Sequence, residues 1–365
     1  MSVYNFKKIN SAEYAGKSAS LKLADVPLTQ CPFYGEWQEN IGSQVFRFLI
    51  LEGDDITGLA QAIKFNVSLG KNYIYIPHGP IMLKTPTDTF LSEFQNFVLS
   101  DIVDKSTFFV RFDIFEAGAS GENNLDINLP GNFYKLPYSE YGGDFQQKFE
   151  RVIGLGPKEE DLRFSLHRTA KYLINKSTRH GIEISFISGP DIMTYLDDFC
   201  RLMSQTAGRD RFSLHSKKYY EAIFNDMARV GGERGFLTVG KKLNKVVLTN
   251  LNIIHGQTVT FLFGGADETY LDDGLSYLAQ WESVKKAKKD GHKIYSFGAV
   301  VPPGKDLIFK GYVGWKGLTS FKDKFGGRVL EYGNVYDIIV ESFWYRLFSA
   351  KRRLRLWKKR IFRFK

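Results

Sequence analysis

A chain of 365 residues, 43% hydrophobic and 15% aromatic, is long enough for a large core and for two domains. No apolar run approaches the roughly 18 to 20 residues that a membrane-spanning helix requires, and the start "MSVYNFKKINSAEYAG" has neither a basic leader nor an apolar block. The formal net charge of +10 is local: residues 351–365, "KRRLRLWKKRIFRFK", carry nine Lys or Arg and no acid, and removing those nine leaves +1 for the rest.

In chain order, "SQVFRFLILEGDDITGLAQAIKFNVSLGKNYIYIPHGPIML" alternates short apolar runs with Gly-Asp and Gly-Lys breaks and predicts an antiparallel meander. "TDTFLSEFQNFVLSDIVD" follows with a helical period and Thr87 or Asp88 as N-cap. "STFFVRFDIF" reads as a strand, and residues 116–160 as a loop-rich connection full of Gly, Asn, Pro and Tyr. A second unit opens with "DLRFSLHRTAKYLINKSTRHGIEISFI", a helix stopped at Gly181 and followed by a strand. Two further helices come next, in "GPDIMTYLDDFCRLMSQTAG" and "SLHSKKYYEAIFNDMARVGG".

The first pattern then returns as the meander "GFLTVGKKLNKVVLTNLNIIHGQTVTFLFGGADE", the helix "YLAQWESVKKAKKDGH" and the strand "KIYSFGAVV". The order meander, helix, strand therefore occurs twice, which predicts two α/β domains of similar plan. "NVYDIIVESFWYRLFSAKRRLRLWKKRIFRFK" reads as one long terminal helix, with Leu354, Trp357, Ile361 and Phe364 recurring opposite the basic positions. Such a helix is either solvated with its aromatic stripe packed on the body, or a contact to lipid or RNA.

Cys31 and Cys200 lie far apart and in no C-x-x-C pair, so neither a disulfide framework nor a zinc site is indicated, and a reducing cytoplasm fits. The six histidines form no H-E-x-x-H or comparable group, which leaves metal catalysis without ligands at a recognisable spacing.

Three stretches could carry chemistry. On the helix 161–180, Arg168, Lys171, Tyr172, Asn175 and Arg179 share one face, suited to a diphosphate or an RNA backbone, or simply to water. In "FFVRFDIF", Arg111 and Asp113 stand in an otherwise apolar strand and need partners; Arg111 reads first as half of an ion pair, Asp113 as a carboxylate able to accept a proton once burial lifts its pKa. In "GLTSFKDKFGG" (317–327), lysines sit among phenylalanines beside Gly326 and Gly327, a pair that permits positive φ and close approach of a ligand to the backbone, or else a turn with surface lysines.

Six segments resemble, in order, those of the FemABX family, the non-ribosomal peptidyltransferases that use aminoacyl-tRNA to build peptidoglycan cross-bridges. They are "NYIYIPHGPIM" (72–82), "FVRFD" (109–113), "NKSTRHGIEI" (175–184), "RDRFSLHSKKYYEAIF" (209–224), "LAQWESVKKAKKDGHKIYSFGA" (278–299) and "GLTSFKDKFGG". The resemblance implies an α/β (α+β) fold of two tandem acetyltransferase-like (GNAT-type) domains, 1–158 and 159–330, without a coiled-coil arm, followed by a basic amphipathic helix over 331–365. It further implies a cytoplasmic aminoacyltransferase that moves an amino acid from aminoacyl-tRNA to an amino group of a UDP-linked or lipid-linked muramyl peptide, with no cofactor beyond the tRNA co-substrate.

By the same resemblance, Lys322 is the catalytic candidate for charge stabilisation and Asp113 the candidate base. Arg168, Lys171 and Tyr172 would grip the acceptor, and Tyr34, Gln38, Arg111, Arg211, Tyr219 and Trp281 complete the expected binding set. Two departures stand out. Gln38 occupies the place of a lysine in the family's Gln-x-x-x-Trp-Gly-x-x-Lys pattern, and Tyr295-Ser296-Phe297-Gly298-Ala299 replaces Tyr-Asp-Phe-Gly-Gly. The competing expectations are an acyl-CoA N-acyltransferase, disfavoured because no Gln/Arg-x-x-Gly-x-Gly/Ala loop is read after a central strand, the one match to that pattern, "RVIGLG" (151–156), falling in the loop-rich connection, and a non-enzymatic protein docking on membrane or RNA through the basic tail, 351–365.

Overall fold

The structure is a computed structural model that describes residues 4–21, 26–87, 89–116, 132–137, 146–210, 212–301 and 315–362, with side chains as far as 358. The chain divides into two units: unit 1 is Met1–Phe149, Val301–Lys316 and Leu330–Lys365, and unit 2 is Glu150–Val300 and Gly317–Val329.

Unit 1 begins with β1 (Tyr4–Ile9), α1 (Ser11–Ser20) and α2 (Pro32–Asn40), elements that the polar opening did not announce. The expected meander follows as β2 (Gln44–Glu52), β3 (Asp55–Asn66) and β4 (Asn72–Ile76), with the short β5 (Ile81–Met82). Then come α3 (Phe90–Phe97), β6 (Thr107–Phe112), β7 (Phe115–Glu116) and β8 (Phe133–Lys135). The expected cap of α3 shifts: the helix opens after Thr89, which makes no side-chain cap bond, while the Thr87 carbonyl accepts from Phe90 N–H and Asp88 lies outside the described residues. The apolar face of α3 accounts for its place. Phe90, Phe94 and Phe97 pack against Phe48 and Phe112 from the sheet.

Unit 2 contains β9 (Phe149–Gly154, its first residue in unit 1), α4 (Glu159–Ser165), α5 (Arg168–Arg179) and β10 (Glu183–Ile187). It continues with α6 (Leu196–Asp210), α7 (Lys217–Val230), β11 (Gly235–Lys242), β12 (Lys245–His255), β13 (Thr258–Ala266), α8 (Leu275–Lys289), β14 (Ile294–Ala299) and α9 (Lys316–Asp323). The single helix expected over 161–180 is two, because Leu166 adopts extended backbone and His167 then caps α5 by accepting from Thr169 N–H. One face of this sheet carries α5 and α8, whose Ile174, Leu275, Leu278 and Trp281 join Phe236, Val259 and Tyr295 in the core.

After β15 (Arg328–Glu331) the chain forms β16 (Tyr336–Ile339) and then α10 (Ser342–Phe362). The long terminal helix read from residue 334 therefore starts only at Ser342, and the β-branched, aromatic run before it pairs as a strand. The two sheets run β1-β2-β3-β4-β6-β16-β8 and β10-β11-β12-β13-β14-β9-β15. In each, an antiparallel meander passes through a helix into a strand parallel to the last: β4 with β6, and β13 with β14. A parallel neighbour demands such a crossover. The repeat read from sequence is thus a repeat of this connection.

Between β6 and β16, Arg111 stands directly opposite Asp337, and its Nε and one terminal nitrogen each donate to the carboxylate at 2.6 Å. Tyr345 of α10 donates to the same carboxylate at 2.8 Å, so one buried ion pair joins two strands and a helix. Removing one partner strands a buried charge, so Asp337→Ala should cost about 3–5 kcal/mol in chemical denaturation, and Arg111→Met/Asp337→Leu should recover most of it. Equal stability of Asp337→Ala and wild type would contradict this account.

Candidate active site

In unit 1, β6 delivers Asp113 just past its last residue. The following backbone is held by Asp113 N–H donating to the Gly79 carbonyl and Phe115 N–H to that of Pro80. Asp113 is 3% exposed, accepts the His78 backbone N–H at 2.8 Å, and takes a further hydrogen bond from Tyr75. Burial pushes its carboxyl well above the ordinary carboxylate range, although those hydrogen bonds and the charges of Lys148 and Arg111 oppose the rise. His78, at φ 50°, lies flat on Tyr332 with ring centroids 3.8 Å apart. Its Nε2 is 3.1 Å from the Gln147 carbonyl, an atom that can only accept, so Nε2 carries the proton; burial lowers its pKa to about 4 and the ring is neutral at pH 7. The Lys148 ammonium, buried beside this group, donates to the Tyr332 carbonyl and stands 3.5 Å from Glu331.

In unit 2 the corresponding strand end is that of β14. Its pairing with β9 slips between Ser296 and Ala299, and Gly298 takes φ 70° there. This bulge leaves the Ala299 carbonyl to accept from Lys322 Nζ at 2.7 Å. Lys322 is 4% exposed; burial draws its pKa from the usual 10.5 down to about 7, with the Glu150 carboxylate resisting the fall. Ser296 donates to Glu150 at 3.0 Å and accepts from Gly298 N–H at 3.0 Å, so the residue that departs from the family pattern ties the bulge to the acid near the lysine.

The glycine pair after this lysine has a different reason from the one expected. Gly326 and Gly327 do take φ 81° and 74°, but it is the chain's own β9 that closes on Gly327, where a Cβ would collide with the Val152 carbonyl oxygen, while Gly326 faces Ser165 of α4. Lys324 is the surface member of the two lysines and lies over the Tyr277 ring.

The other predicted residues are dispersed. Arg168 and Tyr172 are exposed on α5, opposite its buried Ala170 and Ile174, while Lys171 donates to the Phe164 carbonyl at 2.7 Å and lies over that ring. Arg111 is committed to Asp337. Tyr34 and Gln38 are buried on α2, where the Gln146 amide reaches the Tyr34 hydroxyl at 3.5 Å. Tyr219 is buried at the start of α7 in an aromatic group with His215 and Phe263, and Trp281 fills the core of unit 2. Arg211 lies outside the described residues. Sequence reasoning missed His78, Lys148, Tyr332 and Glu150; only His78, in "IPHGP" after a strand, carried a readable signal. Among the described residues no group of three or more His, Cys, Asp or Glu side chains is placed to hold a metal ion.

The FemAB family model matches residues 125–229 and 236–352. Among solved structures the chain is similar to FemX, with a TM-score of 0.71 at 15% identity over 94% of this chain and 100% of that one. It is also similar to L-PGS from Bacillus licheniformis (TM-score 0.53, 12% identity, 95% of this chain and 97% of that one). A tandem GNAT protein from the clavulanic acid biosynthesis pathway matches at a TM-score of 0.52 and 9% identity, over 92% and 98%. At such identities these structures establish the shared tandem GNAT-like fold. No curated protein matches. With the family model covering more than half of the chain, the protein belongs to the FemAB family of peptidoglycan bridge-forming transferases.

Proposed function

We propose that the protein transfers an amino acid from aminoacyl-tRNA to an amino group on the stem peptide of a peptidoglycan precursor. The observation that carries this reading is the Lys322 ammonium, buried at the bulged end of β14 and brought to a pKa of about 7. Family membership supplies the reaction class. The transfer forms a C–N bond, breaks the C–O bond between the aminoacyl group and the ribose, and moves one proton from nitrogen to the departing oxygen. A lysine poised near neutrality can meet the negative charge of the tetrahedral species and surrender a proton as the ester oxygen leaves. Asp113 is assigned separately as a proton acceptor, because a carboxyl whose pKa is raised by burial is a stronger base than an exposed one. Arg168, Lys171 and Tyr172 remain the proposed acceptor-gripping set on α5. The co-substrate is the charged tRNA, and no further cofactor enters the scheme.

The direct test incubates the protein with a mixed aminoacyl-tRNA pool and UDP-linked or lipid-linked muramyl peptides. A mass gain of one or more aminoacyl units on a peptide is expected; gain only from acyl-CoA would overturn the reading.

Lys322→Met should lower transfer by about 10²-fold or more. Lys322→Arg keeps its charge at every working pH, so the ratio of wild-type to Lys322→Arg rate should fall as pH rises through about 7, a ratio from which substrate ionisation cancels. Because the folded pKa lies below the unfolded one, this group's stability penalty is full below pH 7 and fades toward 10.5. The melting temperature of Lys322→Met should therefore exceed that of wild type most clearly on the acid side of neutrality.

Asp113 has the opposite sign. Its folded pKa is raised, so burying it costs stability once pH passes the unfolded carboxylate value near 3.8, and the cost grows until the folded pKa is reached. Asp113→Asn removes that cost and keeps an acceptor for His78 N–H. At pH 7 it should be at least as stable as wild type while transfer drops about 10²-fold or more; a stable variant with intact transfer would remove Asp113 from the mechanism.

A further inference from the structure

The helix α10 has two apolar faces, and the fold uses one. On the inner face, Tyr345 and Phe348 pack on Phe108 and Phe109, and Arg352 and Leu356 are buried further along. On the outer face, Phe343 is 71% exposed, Leu347 50%, Leu354 50% and Trp357 57%. With about 100° between successive residues, these four fall, together with Ala350, in a stripe about 80° wide, pointing away from the packed face. The stripe begins eight residues before the basic tail, so it is not a by-product of that tail's composition.

The borders of the stripe are cationic on both sides. Lys351 and Lys358 run along one, Arg346 and Arg353 along the other, all exposed, and residues 342–365 contain no acid. Large apolar side chains held in water are unfavourable unless something covers them. A phosphate backbone would engage the cations and leave the leucines and Phe343 in water. A second copy of α10 would bring the bordering cations of two helices together with no carboxylate from this segment to offset them. An anionic bilayer surface satisfies both features at once, taking the stripe to the acyl boundary while the lysines and arginines stay among headgroup phosphates. No helix among the described residues is long and apolar enough to cross a membrane, so α10 would lie in the plane of the surface.

We infer that the outer face of α10 is a docking surface for anionic lipid bilayers, with Phe343, Leu347, Leu354 and Trp357 inserted and Arg346, Lys351, Arg353 and Lys358 on the headgroups. This stands whatever acyl donor the enzyme uses.

The test is flotation of the full-length protein with vesicles of phosphatidylcholine alone and of phosphatidylcholine mixed with phosphatidylglycerol. Binding to the mixed vesicles is expected. Leu354→Glu/Trp357→Glu should weaken it at least about tenfold with an unchanged melting temperature, because both side chains are exposed in the folded protein. Lys351→Gln/Lys358→Gln should weaken it less and flatten its salt dependence. The proposal is overturned if wild type does not float with the mixed vesicles, or if the stripe variant floats as well as wild type. It is equally overturned if the stripe variant instead loses tRNA binding, or if wild type is a dimer in vesicle-free solution and that variant is a monomer.

Discussion

A guanidinium inside an apolar strand must have a partner, and in this protein that requirement fixes how unit 1 is assembled. Arg111 finds Asp337 across the β6–β16 pairing, and Tyr345 adds a third element to the same carboxylate. Because the pair is bidentate and buried, the register of β16 against β6 has little freedom. That register sets where β6 ends, and the residue after its end is Asp113. The ionisable group with a proposed chemical task is thus held in place by a neighbour whose own task is structural.

Unit 2 solves the same positioning problem differently. At β14 a bulge does the work, turning the Ala299 carbonyl toward Lys322 while Ser296 and Glu150 brace the slipped strand. Both candidate groups are served by the end of the strand reached after the crossover helix, the place in an α/β sheet where hydrogen bonding within the ladder stops and backbone becomes available to side chains. Duplicating the connection duplicated the opportunity, and the two units filled it with groups of opposite charge and opposite pKa displacement.

Much of this was legible in the residues. Alternating apolar runs marked both meanders, and the repetition of meander, helix and strand marked the tandem plan. Arg111 was readable as an ion-pair residue because few other readings suit a charge amid "FFVRF". The partner was not, since Asp337 lies 226 positions away in a segment whose hydrophobic content mimicked a helix start. Lys322 was singled out as a candidate through a motif, yet of that motif's glycines Gly327 serves the approach of β9 to the turn. Lys148 and Glu150 were invisible for a common reason: each acquires its character from burial and from neighbours remote in sequence, and neither leaves a local period.

The insertion of β16 between β6 and β8 has a consequence for biosynthesis. A ribosome releases most of unit 1 early, but β16, the strand next to the edge of its sheet, emerges only after all of unit 2 has been made. Until then the edge of β6 is open, and Arg111 has no counter-ion from the strand that will cover it. The amino-terminal half must therefore wait in an unfinished state, while the later-made unit can close first.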